Sequence, residues 1–138
     1  MPETDRKFRK EERLCSKKAI GDLFKSGIIL KQYPFKVVYA YSEYNESPVK
    51  IVVSVPKKNF KRAVKRNYLK RRIKEAYRLN KFILYNSVGN GYTVNIMLIY
   101  IATHIIDYRE IEKKLTHTLH TLAENITKNP DIYPTDVD

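Results

Sequence analysis

One cysteine, Cys15, stands in the whole chain. With a single thiol no intrachain disulfide can form, and no cysteine-built metal site is possible. Cys15 itself is expected to be an inert, half-buried thiol, since no Cys-His-Asn constellation accompanies it. Long apolar runs are missing too, and none reaches the roughly 18 residues that a membrane span needs. The first segment, MPETDRKFRKEERL, is too charged to hold the apolar core of a signal peptide. No membrane association and a cytoplasmic location are therefore expected. Repeats and low-complexity stretches are also absent, so the 138 residues read as one domain, and 43% hydrophobic composition supplies a core.

The most telling scarcity is of acid. From Lys57 to Lys81 there are twelve Lys or Arg and one carboxylate, Glu75, a local balance of +11. From Phe82 onward four basic residues face seven acidic ones, a balance of −3. The net charge of +12 is thus concentrated in one segment, which is the footprint of a polyanion partner. A merely solubilising surface would mix both signs. The remaining acids are scattered or stand at helix ends, so the clustered carboxylates of a self-sufficient nuclease are not visible. His117 and His120 share a helical face, but no Cys or carboxylate completes a metal site beside them, and surface histidines are expected.

The chain divides into a charged arm (1–13), a domain (14–128) and a C-terminal tail (129–138). The arm is expected to be flexible and the tail frayed. SKKAIGDLFKSG reads as a helix, with Ser16 as N-cap, Ile20, Leu23 and Phe24 on one face, and Gly27 as its stop. FKVVYAY (Phe35 to Tyr41) reads as a strand, and VKIVVSV (Val49 to Val55) as its antiparallel partner, closed by Pro56. Helical periodicity runs from about Lys61 to Lys81. YTVNIMLIYIA (Tyr92 to Ala102) is almost continuously apolar, as a strand buried on both faces should be. Asp107, three residues before Glu110, opens a final amphipathic helix carrying Ile111, Leu115, Leu119, Leu122 and Ile126. The order α-β-β-α-β-α makes a two-layer α/β (α+β) sandwich.

At about 100° per residue the basic helix has two sides. Leu69, Ile73 and Ala76, with Tyr68 and Leu79 beside them, should face the sheet. Arg66, Asn67, Lys70, Arg71, Lys74, Arg78 and Lys81 fall in an arc of about 140° on the other. Lys65 and Arg72 fit neither side cleanly and are expected to snorkel around the packing edge. Phosphates suit such a stripe: Arg offers a forked donor, Lys a mobile point charge. Asn67, with both donor and acceptor, can bond a base edge, a ribose hydroxyl or water.

KKNFKRAVKRNYLKRRIKEAYR resembles the basic motif of the bacterial ribonuclease P protein component. Arg66-Asn67, Lys70-Arg71 and Lys74-Glu75 match its Arg-Asn, Lys-Arg and Arg-Glu pairs, with Lys74 in place of the usual Arg. Lys57-Lys58 and Ala63 fall at family-like positions, and RLCSKKAIGDLFKSG looks like the family's first helix. The resemblance implies the ribosomal protein S5 domain 2-like fold, with a left-handed βαβ crossover. It implies a protein with no catalytic residue of its own, monomeric when alone and joined one to one with a catalytic RNA. That RNA, with Mg²⁺ bound mainly through it, would cleave precursor tRNA to free the mature 5′ end. Arg66, Asn67, Lys70, Arg71, Lys74, Arg78, Lys57 and Lys58 would then contact RNA. Ile20, Phe24, Phe35, Lys36, Val38, Ser54 and Asn67 would line a cleft for the single-stranded 5′ leader. Ile20 and Val38 depart from the aromatic residues common at their positions, and aliphatic groups stack bases less well. A general RNA-binding protein, ribosomal or chaperone-like, explains the charge but not the ordered set of motifs.

Overall fold

Residues 7–89 and 91–128 are described by the computed structural model. Ser16 caps the first helix as its residue type predicts: its Oγ accepts from the Ala19 N–H at 3.2 Å, and helix α1 runs Lys17–Ser26. A short strand, β1 (Ile28–Gln32), follows and pairs antiparallel with β2 (Phe35–Glu43). After β3 (Val49–Ser54) comes the basic helix α2 (Ala63–Asn80), one further turn α3 (Phe82–Tyr85), strand β4 (Tyr92–Tyr100) and helix α4 (Tyr108–Lys128).

The sheet order is β1-β2-β4-β3, and two expectations change with it. β1 was not anticipated; IILKQ is short, although its half-in, half-out alternation is a strand pattern. More consequentially, β2 and β3 are not partners. β4 lies between them, antiparallel to β2 and parallel to β3. A parallel neighbour needs a long crossover, and α2 with α3 supplies it. The near-continuous apolarity of β4 fits its central position, with only Tyr92 and Ile99 less than fully buried.

One sheet face carries Phe35, Val37 and Tyr39, with Ile51, Val53, Ile96, Leu98 and Tyr100, all in the main core. Against it pack Leu69, Ile73, Ala76 and Tyr77 of α2 and Ile111, Leu115, Leu119 and Leu122 of α4. Each fully buried aliphatic or aromatic side chain contributes about 1.5–3 kcal/mol, enough to anchor a helix whose other side repels itself. Tyr77 belongs to this face, whereas Tyr68 is exposed and Leu79 only half-buried. The opposite sheet face meets α1 through a smaller cluster of Leu14, Leu23, Val38 and Met97.

The segment expected to be a flexible arm is tied down over residues 7–13. A 3-10 turn at Lys10–Glu12 buries Glu12, and Arg13 and Leu14 meet Ile51 at the edge of β3. Burying Glu12 requires a counter-charge, and Lys81 provides it at 2.6 Å. Lys81 therefore leaves the cationic stripe in which helical spacing had placed it. The expected frayed tail lies outside the described residues.

Candidate nucleic-acid interface

The basic helix begins without an acid in its first turn and without a side-chain cap from Arg62. Arg66 takes over part of that work. Its Nη1 donates to the carbonyls of Phe60 at 2.8 Å and Lys61 at 2.9 Å, fixing the loop that enters α2. Further along, Arg78 forms a fork with Glu75, with bonds of 3.1 and 2.7 Å. That hydrogen bond holds the Glu75 carboxyl below its ordinary value, so the pair is ionised. Glu75 is thereby spent on Arg78, and Lys70, Arg71 and Lys74 have no carboxylate partner among the described residues. Asn67, Arg71 and Lys74 are exposed, and Lys70 is half-buried at the packing edge. Lys57 and Lys58 stand exposed in the turn that links β3 to α2. The arrangement is a rigid cationic ridge with its counter-ions left to solvent or to a ligand.

Strand register decides which cleft candidates meet. Lys36 lies beside Ile99, and Ile99 beside Ser54, so these three cross one row of the outer sheet face. Val38, Met97 and Val52 form the next row. Helix α1 crosses this face, burying Leu23 and Val38 and leaving Ile20 half-buried. Phe24, 71% exposed, projects from the same helix. Gly27 is the C-cap of α1, and a side chain has no room there, since a Cβ would lie 2.5 Å from Val38 Cγ1. Its φ of −69° shows that freedom to adopt a left-handed conformation is not what selects it.

Phe35 is the correction. It points to the other face, fully buried, with its ring 5.9 Å from that of Tyr100 in an edge contact. Side chains alternate along a strand, so Phe35 and Lys36 cannot share a face. Val38, buried beneath α1, supports the cleft floor and offers little surface to a ligand. Strand β1 adds what sequence reasoning missed: Lys31 pairs with Lys36 and extends the cationic row, and Tyr33, 62% exposed, follows at the hairpin turn. The alternation in IILKQ was the available signal. Cys15 is exposed, contrary to the half-buried thiol expected. No group of three or more His, Cys, Asp or Glu that could hold a metal ion occurs among the described residues. None of the described helices is long and apolar enough to cross a membrane.

Fold and surface together define a small α+β domain built to present a cationic helix on one side and a partly open sheet face on another. A family description, Ribonuclease P, matches residues 8–123. The ribonuclease P protein component of Porphyromonas gingivalis is 38% identical over 120 residues, covering 85% of this chain and 87% of that protein. The component from Chlorobaculum tepidum is 33% identical over 121 residues, covering 79% and 78%. Among solved structures, the Staphylococcus aureus RNase P protein superposes with a TM-score of 0.65 at 23% identity, covering 82% of this chain and 96% of that one. The Thermotoga maritima protein gives 0.60 at 23%, covering 80% and 96%. The chain belongs to the ribonuclease P protein family, the protein component of the endoribonuclease that processes tRNA 5′ ends. Its partner is accordingly an RNA subunit.

Proposed function

We propose that α2 docks on the catalytic RNA, one protein per RNA, while the outer sheet face and α1 hold the single-stranded 5′ leader of precursor tRNA. The observation that carries this reading is the set of free cations on α2. Lys70, Arg71 and Lys74 are held on a helix anchored by four buried residues and lack any carboxylate partner among the described residues. Phosphates complete such a ridge and release counter-ions as they do so. On the other face, Phe24 offers a ring for base stacking, and Lys36 with Lys31 offers charge for the leader backbone. Stacking on a single aromatic is tolerant of sequence, which suits an enzyme with many precursor tRNAs.

The phosphodiester chemistry is assigned to the RNA subunit. The described residues do not fit a protein-borne Mg²⁺ site: the one acid on α2, Glu75, is committed to Arg78. Mg²⁺ would be held mainly through RNA oxygens, and this protein would neutralise charge around them. We place the assembled enzyme in the cytoplasm and take the free protein to be monomeric.

The test is precursor-tRNA cleavage at low Mg²⁺ by a bacterial ribonuclease P RNA, with and without this chain. Restored cleavage at the mature 5′ end, which a general basic protein does not give, is the expected result. No restoration with a well-folded cognate RNA would leave a general RNA-binding protein. Cleavage by the protein alone would mean that an active site resides in the protein.

A further inference from the structure

Helix α2 carries apolar surface next to its cations, and that surface is not consumed by the fold. Val64 is 79% exposed and Tyr68 37% exposed, one turn apart on the same line of the helix. The next residue on that line, Arg72, lays its guanidinium over the Tyr68 ring at 5.0 Å from the centroid, with the Tyr108 ring centroid 5.9 Å from the same guanidinium. The Tyr68 ring is thus oriented by a stacked cation rather than left to rotate. At about 100° per residue, Tyr68 sits some 60° round the helix from Arg71, the outermost member of the cationic ridge. At the N-terminal end of the same helix lies an open cavity of about 520 Å³, lined in part by Lys61, Arg62, Lys65, His104 and Ile105.

A flat aromatic held by a guanidinium, with Lys65 and Arg71 three residues to either side of it on the helix, matches one chemistry. We propose that the Tyr68–Arg72 pair is a stacking shelf for an unpaired base of the RNA that α2 binds, with Lys65 and Arg71 holding the adjoining phosphates. An apolar protein segment would have to bury those cations without compensation, so an RNA strand is the better fit. The inference rests on the reading of α2 as the RNA-binding helix. It adds to that reading a contact made by a π-face instead of by charge.

That difference supplies the test, using the full chain and a bacterial ribonuclease P RNA. Stacked bases are worth about 1–3 kcal/mol each on truncation of the aromatic, so Tyr68→Leu should weaken RNA binding about five- to a hundredfold. The salt slope should stay unchanged, because no phosphate contact is lost. The chain has no tryptophan, so Tyr68→Trp creates a sole indole reporter. Its emission should be quenched by the RNA and not by inorganic polyphosphate. Wild-type affinity for Tyr68→Leu, an indole blind to RNA, or equal quenching by polyphosphate would each overturn the shelf. Should Tyr68→Leu fail to fold, the indole signal decides alone. The double variant Lys70→Ala with Lys74→Ala separates the two levels. A slope unchanged by it removes the cationic ridge of α2 from the RNA contacts, whereas a reduced slope with a neutral Tyr68→Leu removes only the shelf.

Discussion

At the scale of single residues, the buried pair Glu12–Lys81 is the contact least visible in the sequence. Both side chains are 2% exposed, 69 positions apart along the chain. The Tyr85 hydroxyl donates to the same Glu12 oxygen at 2.5 Å, and Lys81 Nζ also donates to the Lys7 carbonyl. Nothing in local periodicity distinguishes Lys81 from the other cations of its segment, since burial of a charge depends on a partner from a distant element. Removing one member strands the other, at a cost of about 3–5 kcal/mol. Lys81→Met should therefore lower the midpoint of urea unfolding sharply, and Lys81→Met combined with Glu12→Gln should recover most of the loss. Failure of the double variant to recover would show that the site needs the charge itself. Phe24 is the opposite case. Being largely exposed, it should cost little stability as Phe24→Ala, yet weaken assembled-enzyme binding of precursor tRNA more than of mature tRNA. Equal losses for both would point to packing.

At the scale of elements, α2 was legible and its neighbours only partly so. Leu69, Ile73 and Ala76 recur at helical spacing, and the cations between them could only face outward. Arg66 shows the limit of that reasoning. It lies in the cationic arc by spacing, but its Nη1 is engaged by two loop carbonyls. Lys70→Ala and Lys74→Ala should each lower the salt slope of RNA binding by about 0.7–0.9, measured by titration at several salt concentrations. Arg66→Ala should in addition loosen the entry to α2, with a stability loss of about 1 kcal/mol. If Arg66→Ala changed only the slope, the carbonyl contacts would carry no weight. Among the strands, apolar content identified β2, β3 and β4, and the continuous run in β4 hinted at a central place. Pairing is another matter. Consecutive strands are adjacent about two-thirds of the time, which favoured a β2–β3 hairpin. Only the crossover through α2 puts β4 between them. The cleft candidates followed the pairing: Lys36 and Ser54 meet through Ile99, while strand alternation carries Phe35 to the far side.

For the molecule as a whole, the buried tyrosines, Tyr39, Tyr77, Tyr85 and Tyr100, help bind the two layers together and set an alkaline limit on the fold. Burial raises the hydroxyls of Tyr39, Tyr77, Tyr85, Tyr100 and Tyr108 above their ordinary value, and pushes Tyr41 up to about 12. An unfolded chain releases these protons near pH 10, before the folded chain does. The folded state then binds more protons than the unfolded one, so stability is full below about pH 10 and falls as pH rises beyond it. The informative measurement is tyrosinate absorbance together with helical circular dichroism during an alkaline titration. The core tyrosines should ionise late and in step with loss of helix. Smooth ionisation of all tyrosines near pH 10, with helix retained, would mean that water reaches the layer between the sheet and its helices.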